Sequence, residues 1–260
     1  MTDSITSKKL LRTTNQELPT GLAQQGLFIT FEGSEGCGKS TQIARLAEQL
    51  RQKNPDREMV VLREPGGTAL GEEMRRLLQH ADQSIKIVPE SELLLFAASR
   101  AQLVREVIQP ALHRGAIVLC DRFFDSTTVY QGVARALDPK QVEMINRFSV
   151  GGVIPDVTFL LDMEAAQGRE RMRARNASSS LVDRMEQESE SFYEAVRQGY
   201  LAVAEKEPGR IVVIDAAQSV DEVTKEIFQH LLRFSTHRPC EARPADNRQL
   251  VSWLFQKTKH

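Results

Sequence analysis

The stretch that most limits what this chain can be is Gly33-Ser34-Glu35-Gly36-Cys37-Gly38-Lys39-Ser40. It fits G-x-x-x-x-G-K-[ST], a loop whose backbone amides cradle phosphate groups. Its flanks suit that role. The run from Gly26 to Glu32 is mainly apolar, as a buried strand should be, and Ile43, Leu46, Ala47 and Leu50 follow at helical spacing. Gly33, Gly36 and Gly38 let the backbone curl so that successive N–H groups point at one anion. A helix starting near Lys39 adds its positive dipole end. Lys39 can reach the outer phosphates of a nucleoside triphosphate, and the Ser40 hydroxyl can hold Mg²⁺, with Thr41 beside it closing the set of nucleotide-binding positions. The competing reading is a glycine-rich turn with an exposed lysine, which the flanking strand and helix disfavour.

Composition narrows the classes further. The chain has 260 residues and a formal net charge of −1. No overall basic field would attract nucleic acid. No apolar run approaches the ~20 residues of a membrane span, and the polar start, Met1 to Gln25, lacks an apolar leader. Cys37, Cys120 and Cys240 are far apart. That odd count, without metal-type spacing, reads as reduced residues of a cytoplasmic protein.

Along the chain, residues 1–25 read as a flexible extension. Five apolar strands are predicted near 27–32, 59–62, 116–121, 157–162 and 210–215. Helical patterns alternate with them, near 39–53, 70–80, 89–112, from about 125, from Pro139, 186–206 and 220–231. Asp138-Pro139-x-Gln141 and Ser219-x-x-Glu222 read as helix starts. The alternation predicts α/β architecture: one domain over 26–234 with a five-stranded parallel sheet covered on both faces, α/β/α. Residues 235–260 change character and read as a tail.

The loop alone implies a nucleoside triphosphate, not what is done with it. Other segments point to a second ligand. Arg63-Glu64-Pro65-Gly66-Gly67-Thr68 follows the second strand at its carboxyl end, where open α/β sheets bind ligands. Asp121-Arg122 ends the third strand; the arginine can clamp a phosphate and Asp121 can assist Mg²⁺ through water, or the two form only a strand-end ion pair. Phe96 and Arg100 share a helix face, fit for stacking on a base and bonding its carbonyl, or simply core plus surface. Arg169, Arg171, Arg173, Arg175 and Arg184 crowd a segment interrupted by Asn176-Ala177-Ser178-Ser179-Ser180. That suits a flap over about 169–185 that brings charge to a transferred phosphoryl group, or a solvated helix.

Taken together these residues resemble bacterial thymidylate kinases, members of the P-loop nucleoside monophosphate kinase family. The resemblance rests on the loop, Arg63 to Thr68, Phe96-x-x-x-Arg100, Asp121-Arg122 with Ser126 and Tyr130-Gln131-Gly132, and Asp183-Arg184-x-Glu186. It implies a P-loop NTPase fold and Mg²⁺-dependent, direct in-line transfer from ATP to dTMP, giving dTDP without a phosphoenzyme. By position it implies Lys39, Ser40 and the loop amides on ATP, and Glu35 near the sugar 3′-hydroxyl and acceptor phosphate. Arg122 and Arg75 would grip the dTMP phosphate, with Arg63, Glu64 and Pro65 shaping that side. Phe96 would stack on thymine, Arg100 bond its O4, Thr127 lie at the base N3 edge, Tyr130 press on the sugar, and Ser126 belong to the substrate-binding set. The loop lacks an arginine, so Arg171, Arg175 and Arg184 are the candidates for catalytic charge. The family implies a homodimer. Two other readings stay open: another nucleotide or deoxynucleoside kinase, and a non-catalytic P-loop nucleotide-binding protein.

Overall fold

A computed structural model describes residues 26–80, 85–176, 184 and 188–237. The N-terminal extension, most of the predicted tail and residues 177–183 of the flap lie outside the described residues.

The apolar runs form β1 (Leu27–Glu32), β2 (Met59–Arg63), β3 (Ile117–Asp121), β4 (Val157–Asp162) and β5 (Ile211–Asp215). They pair in parallel in the order β2-β3-β1-β4-β5. β1 lies at the centre, with Phe31 in register with Asp121 of β3 and Phe159 of β4. The loop after β1 therefore opens between the ends of β3 and β4. The strand order reverses there, so this is the crevice in which such sheets bind ligands.

Strand alternation divides the core. Leu27, Ile29 and Phe31 face one layer, packed on Ile43, Leu46 and Leu50 of α1 (Lys39–Lys53) and on Val223, Ile227 and Leu231 of α9 (Val220–His237). Phe28 faces the other, with Leu103 of α3 (Pro89–Leu103) and Leu112 of α4 (Gln109–His113). The polar residues of β1 alternate onto that second face: Thr30 bonds Thr158 at 2.7 Å and Glu32 reaches the site described below.

Caps behave as the sequence indicates. Asp138 accepts from Lys140 and Gln141 amides to start α6 (Pro139–Val150), and Ser219 and Glu222 cap each other's amides to start α9. α9 continues past Phe234, into the stretch read as tail.

Two helices differ from expectation. The long helix predicted over 89–112 is interrupted by a π-helical turn at Val104–Ile108, where the Gln109 amide reaches back to the Val104 carbonyl. Pro110 supplies the reason: it lacks an amide, and its ring crowds the carbonyl one turn back. The helix predicted from 186 begins at Glu190 (α8, Glu190–Lys206), where the Ser189 side chain caps the Phe192 amide. Shorter elements complete the fold: α2 (Ala69–His80), α5 (Phe124–Thr127) with a π-helical continuation at Thr128–Ala134, and α7 (Ala165–Asn176). Among the described residues no helix is long and apolar enough to cross a membrane.

Candidate active site

The glycine loop takes the shape the motif requires. Gly36 and Gly38 have φ of 78° and 94°, and Gly38 is the residue before the first turn of α1. A side chain at Gly36 would stand 2.1 Å from the Gly168 carbonyl, so α7 rests directly on the loop. Lys39 is folded into the loop, its Nζ donating to the carbonyls of Gly33 (3.1 Å) and Ser34 (2.9 Å). Ser40 Oγ donates to Asp121 Oδ2 at 3.0 Å. A hydroxyl and a carboxylate thus converge at the mouth of the loop. These hard oxygen donors fit Mg²⁺, which takes few protein ligands and fills its shell with water and phosphate oxygens. Among the described residues no cluster of three or more His, Cys, Asp or Glu exists to hold a metal by protein groups alone.

Beside the loop, on the second face of the sheet, lies a cleft of about 470 Å³, open solvent included. Glu64 and Pro65 after β2, Phe96 and Arg100 of α3, Arg122 with Tyr130, and Glu35 of the loop all line it. Phe96 is half-buried there with its ring toward the cleft lining, while Arg100 is only 1% exposed. Arg100 donates to Glu64 Oε2 (2.8 Å), Asn146 Oδ1 (3.1 Å), Thr127 Oγ1 (2.8 Å) and the Phe123 carbonyl (3.3 Å). Burial pushes the Glu64 carboxyl up to about 7 against the pull of Arg100. Its Oε1 is buried with no protein partner.

Arg122 joins loop and cleft. Its Nη1 donates to the Gly33 carbonyl (3.0 Å), Ser126 Oγ (3.1 Å) and the Tyr200 hydroxyl (3.0 Å). Nη2 donates to Glu35 Oε1 (2.6 Å) and the Tyr130 hydroxyl (3.2 Å). Burial works against its charge, but Glu35 and the surrounding oxygens hold its pKa well above the usual value. The Arg122 backbone has φ of 69°, a left-handed conformation uncommon outside glycine and frequent at functional sites.

The other predicted residues fall at the margins. Arg75 donates to the Pro65 carbonyl at 3.0 Å, bracing the turn. Arg63 pairs with Glu72 at 3.0 Å on the surface and does not line the cleft. Arg171 of α7 donates to the Ala216 carbonyl (3.2 Å) just after β5, on the loop side of the sheet. Arg184 instead reaches α2 and α3, bonding the Leu78 carbonyl at 3.1 Å and pairing with Glu92. Glu92 is 1% exposed and also accepts from Gln131 at 2.8 Å. Burial would raise its pKa, but Arg184, Gln131 and Arg135 hold it below the usual carboxylate range. The Arg175 side chain lies outside the described residues.

Sequence reasoning missed Glu32, Glu92, Asn146 and Tyr200. Glu32 had a signal, being a carboxylate closing an apolar strand as Asp121 does. Tyr200, one turn from Val196 on α8, reads as core.

Against known proteins, the model of the family described as thymidylate kinase matches residues 31–227. The chain belongs to the thymidylate kinase family. The thymidylate kinase of Geobacter sulfurreducens is 47% identical over 209 residues, 80% of this chain and 97% of that protein. The thymidylate kinase of Kosmotoga olearia is 46% identical over 206 residues, 79% and 95% of the two chains. The crystal structure of thymidylate kinase from Ehrlichia chaffeensis superposes with a TM-score of 0.65 at 34% identity, covering 80% of this chain and 99% of that one. The five-stranded parallel sheet is thus that of a P-loop NTPase. The family match ends inside α9 and begins inside β1, so the terminal segments lie outside it.

Proposed function

We propose that this thymidylate kinase family member transfers the γ-phosphoryl group of ATP to the phosphate of dTMP, giving ADP and dTDP. The transfer runs in line between two bound nucleotides and needs positioning and positive charge more than a base. The observation that carries the reading is the position of Arg122. One guanidinium touches the loop at Gly33 and Glu35 and the cleft at Ser126 and Tyr130.

Each residue then has a task. Lys39 and the loop amides, from Gly33 to Thr41, hold the ATP phosphates. Lys39 exchanges the Gly33 and Ser34 carbonyls for phosphate oxygens. Arg122 holds the dTMP phosphate, releasing Glu35 toward the sugar 3′-hydroxyl. Phe96 offers its ring to thymine; Arg100, already fixed by Glu64 and Thr127, offers a donor to its O4. Tyr130 narrows the space at the sugar. Ser40 and Asp121 would hold Mg²⁺, which when bound neutralises charge on the triphosphate. Of the flap arginines, Arg171 lies one turn beyond Gly168, the point of contact with the loop, and is the one we assign to the transferred group. Arg184 acts as an anchor, since Glu92 holds it away from the loop.

The acting form we propose is a homodimer in the cytoplasm. Leu94 of α3 and Met144 and Phe148 of α6 expose apolar surface on two helices that pack together, with Phe148 84% exposed. A second copy would cover it. Buried free Cys37 and Cys120 suit a reducing compartment.

ADP formation over a panel of dTMP, dUMP, UMP, CMP, AMP and thymidine tests the activity. Fastest turnover is expected with dTMP. Fastest turnover with a ribonucleotide or with thymidine would refute the reading, as would binding of dTMP and ATP without turnover.

A further inference from the structure

Behind Arg122 lies a buried polar group that the transfer itself does not use. Glu32, at the end of β1, is 1% exposed and does not line the cleft. Its Oε1 accepts from the Phe123 amide at 2.8 Å. Its Oε2 accepts from Ser126 Oγ at 2.6 Å and from the Tyr200 hydroxyl at 2.9 Å. Ser126 Oγ and the Tyr200 hydroxyl are 2.7 Å apart, and both accept from Arg122 Nη1. A carboxylate, a serine and a tyrosine from three distant elements therefore meet under one guanidinium.

We propose that Glu32 and Tyr200 are positioning residues for Arg122, holding its backbone turn and its guanidinium in the pose that receives the acceptor phosphate. This rests on the reading of Arg122 given above.

Two features make the role specific. The first is the backbone. Arg122 adopts a left-handed φ of 69° that a side chain disfavours. Such a conformation persists only when its surroundings over-determine it. Here the Arg122 amide is fastened to the Phe31 carbonyl at 2.9 Å, and the next amide, of Phe123, to Glu32. The strained residue is thus tied on both sides to the end of β1. The second is the side chain. Without Tyr200 and Ser126, Nη1 would keep only the Gly33 carbonyl among its described partners. Tyr200 comes from α8, and its ring packs edge-on against Tyr130, whose own ring lies 5.1 Å from the Arg122 guanidinium. Burial raises Glu32 to about 7, with Asp125 adding to it and Arg122, Ser126 and Phe123 opposing it. The hydrogen bonds from the Phe123 amide, Ser126 and Tyr200 offset the cost of burying this carboxyl.

The test is Tyr200→Phe, which keeps the ring and removes the hydroxyl. dTMP affinity is compared with that of thymidine, which shares the base and sugar but lacks the phosphate. Losing one hydrogen bond to a charged group should weaken dTMP about tenfold. Thymidine inhibition and the KM for ATP should stay within about twofold, because neither involves the Arg122 guanidinium. Equal weakening of dTMP and thymidine, a parallel rise in the KM for ATP, or dTMP affinity within about twofold of the parent would each overturn the assignment. Glu32→Gln should show the same selective loss. Arg122→Lys separates the two layers. If it too leaves dTMP unaffected relative to thymidine, Arg122 does not hold the phosphate and both readings fall. If it loses dTMP selectively while Tyr200→Phe does not, only the positioning role fails.

Discussion

Replacing Arg100 by methionine removes the cation at the centre of the cleft while keeping most of its volume. The parent side chain makes hydrogen bonds to Glu64, Asn146, Thr127 and the Phe123 carbonyl, at 1% exposure. Breaking a buried ion pair by removing one partner costs about 3–5 kcal/mol, because the other charge is left uncompensated. The stranded partner is Glu64, whose Oε1 already lacks a protein partner. Its pKa, raised to about 7 in the parent, should rise further once Arg100 is gone. A carboxyl whose folded pKa lies above its unfolded value of 4.5 is neutral in the fold below that folded pKa. Parent and variant shed this charge penalty in parallel below about 7, so the difference between them grows only as pH rises above the parent's value of about 7. At pH 8 the variant should be less stable than the parent by about 3–5 kcal/mol in all, of which the Glu64 charge accounts for at most about 1.4 kcal/mol, one pH unit above the parent's value of about 7. At pH 5.5 Glu64 is neutral in both proteins, the lost guanidinium hydrogen bonds to Asn146, Thr127 and the Phe123 carbonyl remain, and the deficit should be smaller than at pH 8 by about 1.4 kcal/mol. Urea denaturation of both proteins at the two pH values measures this. A stability loss that is equal at both, or larger at pH 5.5, would show that Glu64 is not the stranded group and would refute the argument.

Lys39→Ala should cut kcat by at least about 100-fold, by analogy with the loss of one charge-stabilising donor; near-normal turnover in a steady-state assay would remove the loop from the reaction. Phe96→Ala should raise the KM for dTMP about tenfold or more, as expected for a lost base-stacking ring, with little change in the KM for ATP. An equal rise in both constants would take Phe96 out of the base pocket. If the proposed dimer forms through the Phe148 face, the parent should scatter as a dimer at micromolar concentration and Phe148→Glu as a monomer, with melting temperatures within a few degrees; a monomeric parent would remove the dimer proposal. A variant still dimeric would place the contact elsewhere.

The sheet was legible because buried parallel strands read as uninterrupted apolar runs, and because Pro139 and the Ser219–Glu222 box mark helix starts locally. The loop was legible for a similar reason: its glycines and lysine act over a few neighbouring positions. What the sequence could not show was how distant motifs meet. Glu64 and Arg100 stand in separate motifs, and only the fold closes them to 2.8 Å. Tyr200 belongs to a helix whose neighbours Val196 and Ala204 are core, and its hydroxyl matters only because β1 ends beneath it. The flap arginines carried one shared signal, a crowded charge. Their separate destinations, Arg171 toward Ala216 and Arg184 toward Glu92, depend on buried partners that the run itself does not contain. Pro110 was visible, but its effect was absorbed by a wider turn rather than by a helix end.

The most direct measurement is a crystal structure of this chain with dTMP and a non-hydrolysable ATP analogue bound together. The triphosphate should lie on the amides of Gly33 to Ser40, and the dTMP phosphate should take the Arg122 guanidinium from Glu35 at about 2.7–3.0 Å, with thymine against the Phe96 ring. A complex in which Arg122 kept Glu35 and Tyr200 while the acceptor phosphate bound elsewhere would contradict the account.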